Sequence, residues 1–231
     1  MILTSHQPMY LPYLGHFEKI AKSDIFVYLD TVSYSKWNWY NRNKIRTSTG
    51  WLWLVVPVLT RGQHNQLLNE VKIDNSQKWR KKHLKAIEMA YSKAPFFDSY
   101  IDFFRETYKK EWEYLSDLNE HFIRFFMKEL GIDTKFVKGS ELPFELEGEK
   151  SDRVLDLCKK MKADVFIFGK DGETYAKVED FKNSDIKIVF QNYKHPEYTQ
   201  IHGEFIPYMS VIDLLFNCGS KSLEILTSNQ S

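Results

Sequence analysis

The first 30 residues constrain the fold more than any other part of this 231-residue chain. Residues 1–5 predict a buried strand, residues 15–22 place apolar side chains at helical spacing, and residues 24–30 are rich in β-branched and aromatic side chains. A strand, a helix and a second strand in this order form a βαβ unit, whose two strands pair in parallel. We therefore predict an α/β domain that begins with a parallel pair of strands.

The rest of the chain continues this alternation, except in its middle. Further strands are predicted at residues 44–48 and 51–58, which form a hairpin, and at 133–137, 164–168 and 187–190, with helices at 151–161, 173–178 and 208–217. Residues 76–130 show helical periodicity, with a break at Ala94-Pro95 and a stop at Gly131. We predict one α/β domain over residues 1–231, a mainly parallel sheet in a three-layer α/β/α sandwich, with a helical insert over residues 76–131.

Composition excludes several classes of protein. Hydrophobic residues make up 43% of the chain and aromatic residues 16%, which favours a packed globule over disorder. The net charge of +1 predicts neither a nucleic-acid partner nor attraction to a membrane, and no apolar run is long enough for membrane insertion. Cys158 and Cys218 match no disulfide or metal spacing, so we expect a cytoplasmic protein without a metal site. The oligomeric state stays open, and a homo-oligomer is one alternative.

Two histidines flank the turn that follows the first predicted strand. In an α/β domain the ligand crevice opens at the carboxyl ends of the strands, where His6 lies. We predict that His6 is catalytic and that His16, at the start of the helix, is a neutral binding residue, because the positive helix end lowers the pKa of its imidazole. A structural histidine bonded to backbone groups is the alternative for each. The other binding residues predicted in this turn are Gln7, Tyr10, Tyr13 and Gly15.

A polar and aromatic loop follows the second predicted strand. Asp30 closes that strand, where a carboxylate serves a ribose hydroxyl, a metal ion or a strand-end cap. Arg42 offers a planar fork for phosphate or carboxylate, Lys36 offers a point charge, and Asn43 completes the predicted binding set. An ordinary aromatic surface loop is the alternative. The aromatic residues available to stack on a base or a sugar ring are Trp37, Trp39 and Tyr40.

Three later segments carry further candidates. Gly169 and Tyr175 belong to a glycine-flanked loop, which either presents backbone N–H groups to an anion or is a plain turn. His195 precedes a proline that keeps its backbone extended, and we predict that it is catalytic, as a general base. Asp213 lies among apolar residues and needs a partner if buried; we predict a catalytic role, with helix capping as the alternative. The remaining binding candidates are Tyr198 and Gln200.

Two blocks of residues carry a resemblance to a known family. The opening block comprises His6-Gln7-Pro8, Tyr10-Leu11-Pro12, Leu14-Gly15, Phe17, Lys19-Ile20, Phe26-Val27, Leu29-Asp30, Ser35-Lys36 and Asn41-Arg42-Asn43. The closing block comprises Tyr193, His195-Pro196, Tyr198, Gln200, Phe205, Pro207 and residues 210–217. Together they resemble the WbqC-like family, which is found in bacterial surface-polysaccharide gene clusters. The resemblance implies a role in O-antigen or lipopolysaccharide metabolism more firmly than it implies a reaction.

The opening turn also resembles a degenerate nucleotidyl-transfer signature. In that superfamily, which includes pantothenate synthetase-like enzymes, a His-x-Gly-His motif at a helix start holds nucleotide phosphates. Tyr13-Leu14-Gly15-His16 has this spacing, with Tyr13 in place of the first histidine. The resemblance implies a nucleotidyltransferase-like sheet, and the changed residue puts the usual phosphate contacts in doubt.

These features together predict a transferase or an ATP-dependent amide ligase. The expected reaction activates a small carboxylate with ATP and Mg²⁺ and joins it to a nucleotide-linked amino sugar. His6, His16, Lys36 and Arg42 would stabilise phosphate charge, and His195 would deprotonate the sugar amine. Acyl transfer from a pre-activated donor without ATP is one alternative. A non-catalytic accessory protein that binds a sugar nucleotide is the other.

Overall fold

A computed structural model describes residues 1–36, 38–60, 62 and 65–228, so Trp37 lies outside the described residues. In chain order the strands are β1 (Ile2–His6), β2 (Ile25–Tyr28), β3 (Arg42–Thr47), β4 (Gly50–Val55), β5 (Val58–Leu59), β6 (Lys72–Ile73), β7 (Lys135–Lys138), β8 (Val165–Phe168) and β9 (Lys187–Phe190). The helices are α1 (Leu14–Ala21), α2 (Trp79–Tyr91), α3 (Phe97–Lys109), α4 (Leu115–Leu130), α5 (Lys150–Met161), α6 (Val178–Lys182), α7 (Val211–Cys218) and α8 (Ser222–Thr227).

A five-stranded, all-parallel sheet organises the part of the chain that the structure describes, in the order β7-β2-β1-β8-β9. β1 lies at the centre, where Leu3 is aligned with Ile25 of β2 on one side and with Phe166 of β8 on the other. Leu3, Thr4 and Ser5 are all buried, as expected for a strand that is covered on both faces. The predicted parallel pair of β1 and β2 is confirmed.

The strand order reverses direction between β1 and β8. From β1 the chain builds outward through β2 to β7, then crosses back to place β8 and β9 on the other side of β1. Such a reversal leaves a crevice at the carboxyl ends of the two central strands, where ligands bind in open α/β sheets. His6 ends β1 and Gly169 directly follows β8, so both lie at this switch point.

Helices cover both faces of the sheet and make three layers. One buried core joins α1, α7 and the three middle helices to Phe26 and Tyr28 of β2. The other core joins α5 and α6 to Leu3, Val27 and Phe166 on the opposite face. The predicted α/β class is confirmed, and α2, α3 and α4 occupy the stretch that showed helical periodicity. No helix within the described ranges is long and apolar enough to cross a membrane.

Several element boundaries differ from the predictions. β3 begins at Arg42, so Arg42 and Asn43 lie in a strand and the predicted loop is shorter. The short helix predicted at residues 173–178 is wrong: residues 170–174 form a 3₁₀ turn, and α6 begins at Val178. Gly172 explains the turn, because a Cβ atom there would lie 2.6 Å from Cβ of Phe168, and only glycine permits so close an approach.

Candidate functional site

The opening and closing blocks meet at the start of α1. Tyr13 pairs with Ser210 in an antiparallel bridge, and the amide of Val211 donates a hydrogen bond to the carbonyl oxygen of Pro12, 2.8 Å away. The amide of Ser210 also donates to the carbonyl of Lys44 in β3 at 2.9 Å. These backbone contacts fix the closing block against both the opening turn and the β3–β4 hairpin.

Gly15 is where the two blocks pack most tightly. A Cβ atom at this position would lie 2.5 Å from Cε2 of Tyr13 and 2.8 Å from Cδ1 of Tyr193. The carbonyl oxygen of Gly15 accepts a hydrogen bond from Nε2 of Gln191 at 2.7 Å. Both aromatic rings therefore lie directly on the first turn of α1, and the absent side chain makes this approach possible.

His6 is held in one tautomer by the backbone. Its Nδ1 lies 2.9 Å from the carbonyl oxygen of Gln7. Because a carbonyl oxygen can only accept, Nδ1 carries the proton, and Nε2 of the neutral ring is a proton acceptor. Burial and the nearby Lys19 ammonium lower the pKa of His6 to about 3, so the ring is neutral at physiological pH. His6 therefore offers Nε2 to a ligand as a hydrogen-bond acceptor and not as a donor to phosphate.

His16 packs against His6 inside the molecule. The two ring centroids lie 4.8 Å apart with nearly perpendicular planes, and His16 is 1% exposed. Neither ring nitrogen of His16 has a hydrogen-bond partner among the described residues. Burial, and then the neighbouring His6 and Lys19, lower the pKa of His16 well below its usual value. The neutral imidazole predicted from the sequence agrees with this direction, and burial is the larger cause.

Lys19 is a site residue that we did not predict. It is buried, and its ammonium donates a hydrogen bond to the carbonyl oxygen of Ser5 at 3.0 Å. Burial lowers the pKa of Lys19 to about 8, and the Glu18 carboxylate opposes that shift. Lys19 follows His16 by three residues, which places both side chains on one face of α1. This three-residue spacing is the sequence signal from which Lys19 could have been predicted.

His195 lies among aromatic rings of the closing block. Its Nδ1 donates to the carbonyl oxygen of Pro196 at 2.8 Å, so Nε2 is again the acceptor atom. The ring centroids of Tyr193 and Tyr208 lie 6.1 Å and 5.0 Å from that of His195. Nε2 is buried and has no partner among the described residues. We call Tyr13, Tyr193, His195 and Tyr208 the tyrosine box.

Asp213 has the contacts of a positioning residue. It is fully buried in α7, and one carboxylate oxygen accepts hydrogen bonds from the Tyr198 hydroxyl at 2.8 Å and from Nε2 of Gln200 at 2.7 Å. Gln200 in turn bonds both backbone groups of Ile206. Burial raises the pKa of Asp213, although these donors oppose that shift. The three predicted site residues therefore bind one another and fix the loop that carries the tyrosine box.

Asp30 serves a strand-end cap. One carboxylate oxygen accepts the backbone amide of Ser140 at 2.8 Å and the other accepts the Ser140 hydroxyl at 2.6 Å. The side chain is fully buried. Of the roles open at the sequence level, this geometry matches the cap, which joins the end of β2 to the turn after β7.

Tyr10 and Asn43 also point into the protein. The Tyr10 hydroxyl lies 2.8 Å from Nδ1 of His83 and 2.5 Å from the Tyr108 hydroxyl, deep among the middle helices. Asn43 donates to the carbonyl oxygen of Leu11 at 2.7 Å and is 1% exposed. Both predicted binding residues are therefore engaged in holding the opening turn in place.

The remaining opening-block candidates surround the β3–β4 hairpin. Gln7 accepts a hydrogen bond from the Tyr40 hydroxyl at 3.3 Å. The Arg42 guanidinium lies 4.9 Å from the ring centroid of Trp53, a cation–π contact. Lys36 is exposed in the preceding loop. Positive charge and aromatic rings therefore occur in this region, as the sequence predicted.

The loop after β8 approaches the opening turn. Gly169 starts the 3₁₀ turn, and the exposed Tyr175 packs edge-on against Phe168 with centroids 6.0 Å apart. Burial raises the pKa of Tyr13, and the Asp171 carboxylate of this loop raises it further. Asp171 therefore lies near the tyrosine box. A separate surface depression, at the outer edge of the sheet, is lined by Val178, Lys182, Asp185, Ile186, Lys187 and Ile188, which include no candidate site residue.

The described residues do not fit a Mg²⁺ site of the protein's own. Within those residues, no three His, Cys, Asp or Glu side chains lie close enough together to hold a metal ion. Mg²⁺ prefers carboxylate oxygens, and both oxygens of Asp30 are occupied by Ser140.

Comparison with known proteins identifies the family. The chain matches the model of the WbqC-like protein family over residues 7–225. It belongs to the WbqC-like protein family. A relative, the uncharacterized protein Rv1507c of Mycobacterium tuberculosis, is 33% identical over 222 residues, which cover 95% of each chain. No solved structure matches the chain. The WbqC-like match includes the first turn of α1, the loop after β8 and the tyrosine box.

Proposed function

We propose that this WbqC-like protein is an enzyme that attaches an acyl or aminoacyl group to the amine of a nucleotide-linked amino sugar. The product would be a precursor of a bacterial surface polysaccharide. The observation that carries this proposal is a pair of imidazoles, His6 and His195, each held by a backbone carbonyl with Nε2 as the acceptor. His6 contacts His16, and His195 contacts Tyr193, so each is one contact from the first turn of α1.

The reaction needs two proton acceptors. When an ammonium group becomes an amide, a nitrogen–carbon bond forms, the bond from the acyl carbon to its leaving group breaks, and two protons leave the nitrogen. His195 would accept the proton that frees the lone pair for attack, and His6 would accept the second as the intermediate collapses. Burial lowers the pKa of both rings, so both are neutral and each presents Nε2 to the amine as a hydrogen-bond acceptor.

Two classes of acyl donor are compatible with this reaction. In the first route a carboxylate oxygen attacks the α-phosphorus of ATP, pyrophosphate leaves, and the acyl-adenylate then reacts with the amine. Arg42 and Lys36 would bind the phosphates in this route. A pre-activated donor without ATP is favoured by one observation: the rings of Tyr13 and Tyr193 cover Gly15 in the first turn of α1, where the nucleotidyl-transfer signature would hold phosphate.

The test uses purified protein and mass spectrometry of the sugar product. Nucleotide-linked amino sugars are incubated either with ATP, Mg²⁺ and small carboxylates, or with acyl-coenzyme A thioesters alone. An amide formed only with ATP supports the first route, and one formed with thioesters alone supports the second. Binding of the sugar nucleotide without product from either donor would support the accessory-protein alternative instead.

Replacing His6 tests the catalytic assignment. We expect His6→Ala to slow product formation by about 100-fold or more, since a general base contributes at least that factor. His121→Gln, on α4 in the helical middle, is the matched control; it keeps a polar group beside Thr107 and should turn over normally. Normal turnover by His6→Ala, with an unchanged circular dichroism spectrum, would remove the role assigned to His6.

A further inference from the structure

We infer that the tyrosine box is an ammonium-binding site that holds the protonated amine of the acceptor sugar beside His195. This inference rests on the proposed function for the identity of the ligand. The tyrosine box is then the part of the site that selects an amine over a hydroxyl.

The four rings of the box contact one another in series, from Tyr13 through Tyr193 and His195 to Tyr208. The Tyr13 and Tyr193 centroids lie 6.5 Å apart, and the planes of neighbouring rings meet at 71° for Tyr13 with Tyr193, 71° for Tyr193 with His195 and 65° for His195 with Tyr208. Burial raises the pKa of the Tyr13 and Tyr193 hydroxyls, and the nearby Tyr208 adds a smaller increase to both. Steeply inclined aromatic walls at this spacing are the arrangement by which proteins bind organic cations.

Carboxylates give the box a negative surrounding. Glu18 acts electrostatically on both Tyr13 and Tyr193, and Asp171 acts on Tyr13. Lys22 pairs with Glu18, so part of that charge is already balanced, whereas Asp171 is exposed at the end of β8. The Asp171 carboxylate favours a cation over an anion beside Tyr13.

Two buried polar atoms of the box lack a hydrogen-bond partner within the described part of the chain. The Tyr193 hydroxyl and Nε2 of His195 have no hydrogen-bond partner among the described residues. A buried polar atom without a partner costs free energy, so such atoms mark places where a ligand completes the hydrogen bonding. An alkylammonium has three N–H donors, so it could supply a donor to each of these atoms.

Tyr208 adds an independent sign of function. Its φ of 60° lies in the left-handed region, which is unfavourable for a tyrosine, and its ring is 54% exposed. Strained backbone conformations cluster at active sites and ligand clamps. The conformation keeps the Tyr208 ring against His195 at the open side of the box.

The probes are glucosamine, which is protonated at slightly acidic pH, and glucose, which carries a hydroxyl at the same carbon. Binding is measured by saturation-transfer NMR or calorimetry. We expect glucosamine to bind about 2- to 30-fold more tightly than glucose, the range that cation–π contacts supply. Equal binding of the two sugars overturns the inference, and so does failure of both to bind.

Variants of Tyr193 link the preference to the box. Tyr193→Leu should remove the preference for glucosamine, while Tyr193→Phe should keep most of it because the ring remains. Tyr114→Leu, before α4, is the matched control and should bind as the native protein does. A preference that survives in Tyr193→Leu contradicts the inference even if the fold is intact by circular dichroism.

The outcomes separate this inference from the proposed function. If the box binds ammonium but the protein is not an acyltransferase, the glucosamine preference persists without any amide product. If the protein is an acyltransferase but the box is not its amine site, Tyr193→Leu keeps its KM for the nucleotide-linked amino sugar.

Discussion

The buried environment of His16 lowers the stability of the folded protein. Its ring is enclosed by Phe17, Phe26 and His6, and neither nitrogen finds a partner among the described residues. An apolar ring would fill the same space without leaving polar atoms unsatisfied. The free energy lost here is consistent with a residue retained for ligand contact or for tuning His6, because functional sites often carry such costs.

Replacing His16 by Phe should stabilise the fold by about 1–3 kcal/mol, the cost of an unsatisfied buried polar group. The pKa of His16 is lowered in the folded state, so below pH 6.5 the unfolded chain takes up a proton that the folded chain does not, and native stability falls as the solution is acidified. His16→Phe should therefore gain more at pH 5 than at pH 7. Urea unfolding at both pH values measures this.

His202 provides the contrast for that experiment. Its Nε2 lies 2.7 Å from the carbonyl oxygen of Ala90, so His202→Phe removes a real hydrogen bond and should cost about 0.5–1.5 kcal/mol. If His16→Phe destabilises the protein as much as His202→Phe does, His16 has a favourable contact that the structure does not show.

The sequence indicated where some candidate residues lie in the fold, but it did not reveal the surroundings of others. His6, Tyr13, Gly15 and His195 could be placed because each adjoins a strand end, a helix start or a proline. The buried partners of Tyr10 and Asp30 could not be predicted, since His83 and Ser140 are distant in the chain and are brought close only by folding. Whether a polar side chain binds ligand or another residue depends on such distant contacts.

The first turn of α1 is the element on which both blocks depend. Replacing Gly15 by Ala adds a methyl group that overlaps the Tyr13 and Tyr193 rings, so both rings must shift. Alanine favours the helix by about 1 kcal/mol over glycine, which offsets part of the strain. We expect Gly15→Ala to weaken glucosamine binding at least several-fold with only a small change in melting temperature.

Gly169→Ala is the stability control for that variant. Gly169 has a φ of −67°, and no atom lies within 4 Å of the position that its Cβ would take. Its melting temperature should therefore match that of the native protein. Unchanged glucosamine binding by Gly15→Ala would show that the rings on this turn do not form the ligand site.

Most elements followed from local patterns, and the errors came from tertiary contacts. The strand at residues 187–190 was predicted as observed, and Gly131 ends α4 with a φ of 70°, as a glycine stop requires. The helical region after Phe97 divides near Trp112, whose indole donates to the carbonyl of Thr107. That division depends on packing, which periodicity does not report.

At the scale of the whole molecule, the strand order determines where chemistry can occur. Alternating strands and helices predicted a parallel sheet, but the reversal between β1 and β8 depends on which side the chain crosses after the middle helices. Arg46 links the β3–β4 hairpin to the segment that carries the closing block. Its guanidinium donates hydrogen bonds to the carbonyl oxygens of Gly50 and Glu204 at 2.7 Å and 3.0 Å. These long-range contacts bring the closing block to the switch point.

A crystal structure with a bound nucleotide-linked amino sugar tests this arrangement. We predict that the sugar nitrogen lies inside the tyrosine box, within hydrogen-bond distance of Nε2 of His195, and that the same ligand also contacts residues of the opening block. A ligand bound away from the first turn of α1, or touching residues of one block alone, would contradict the single shared site.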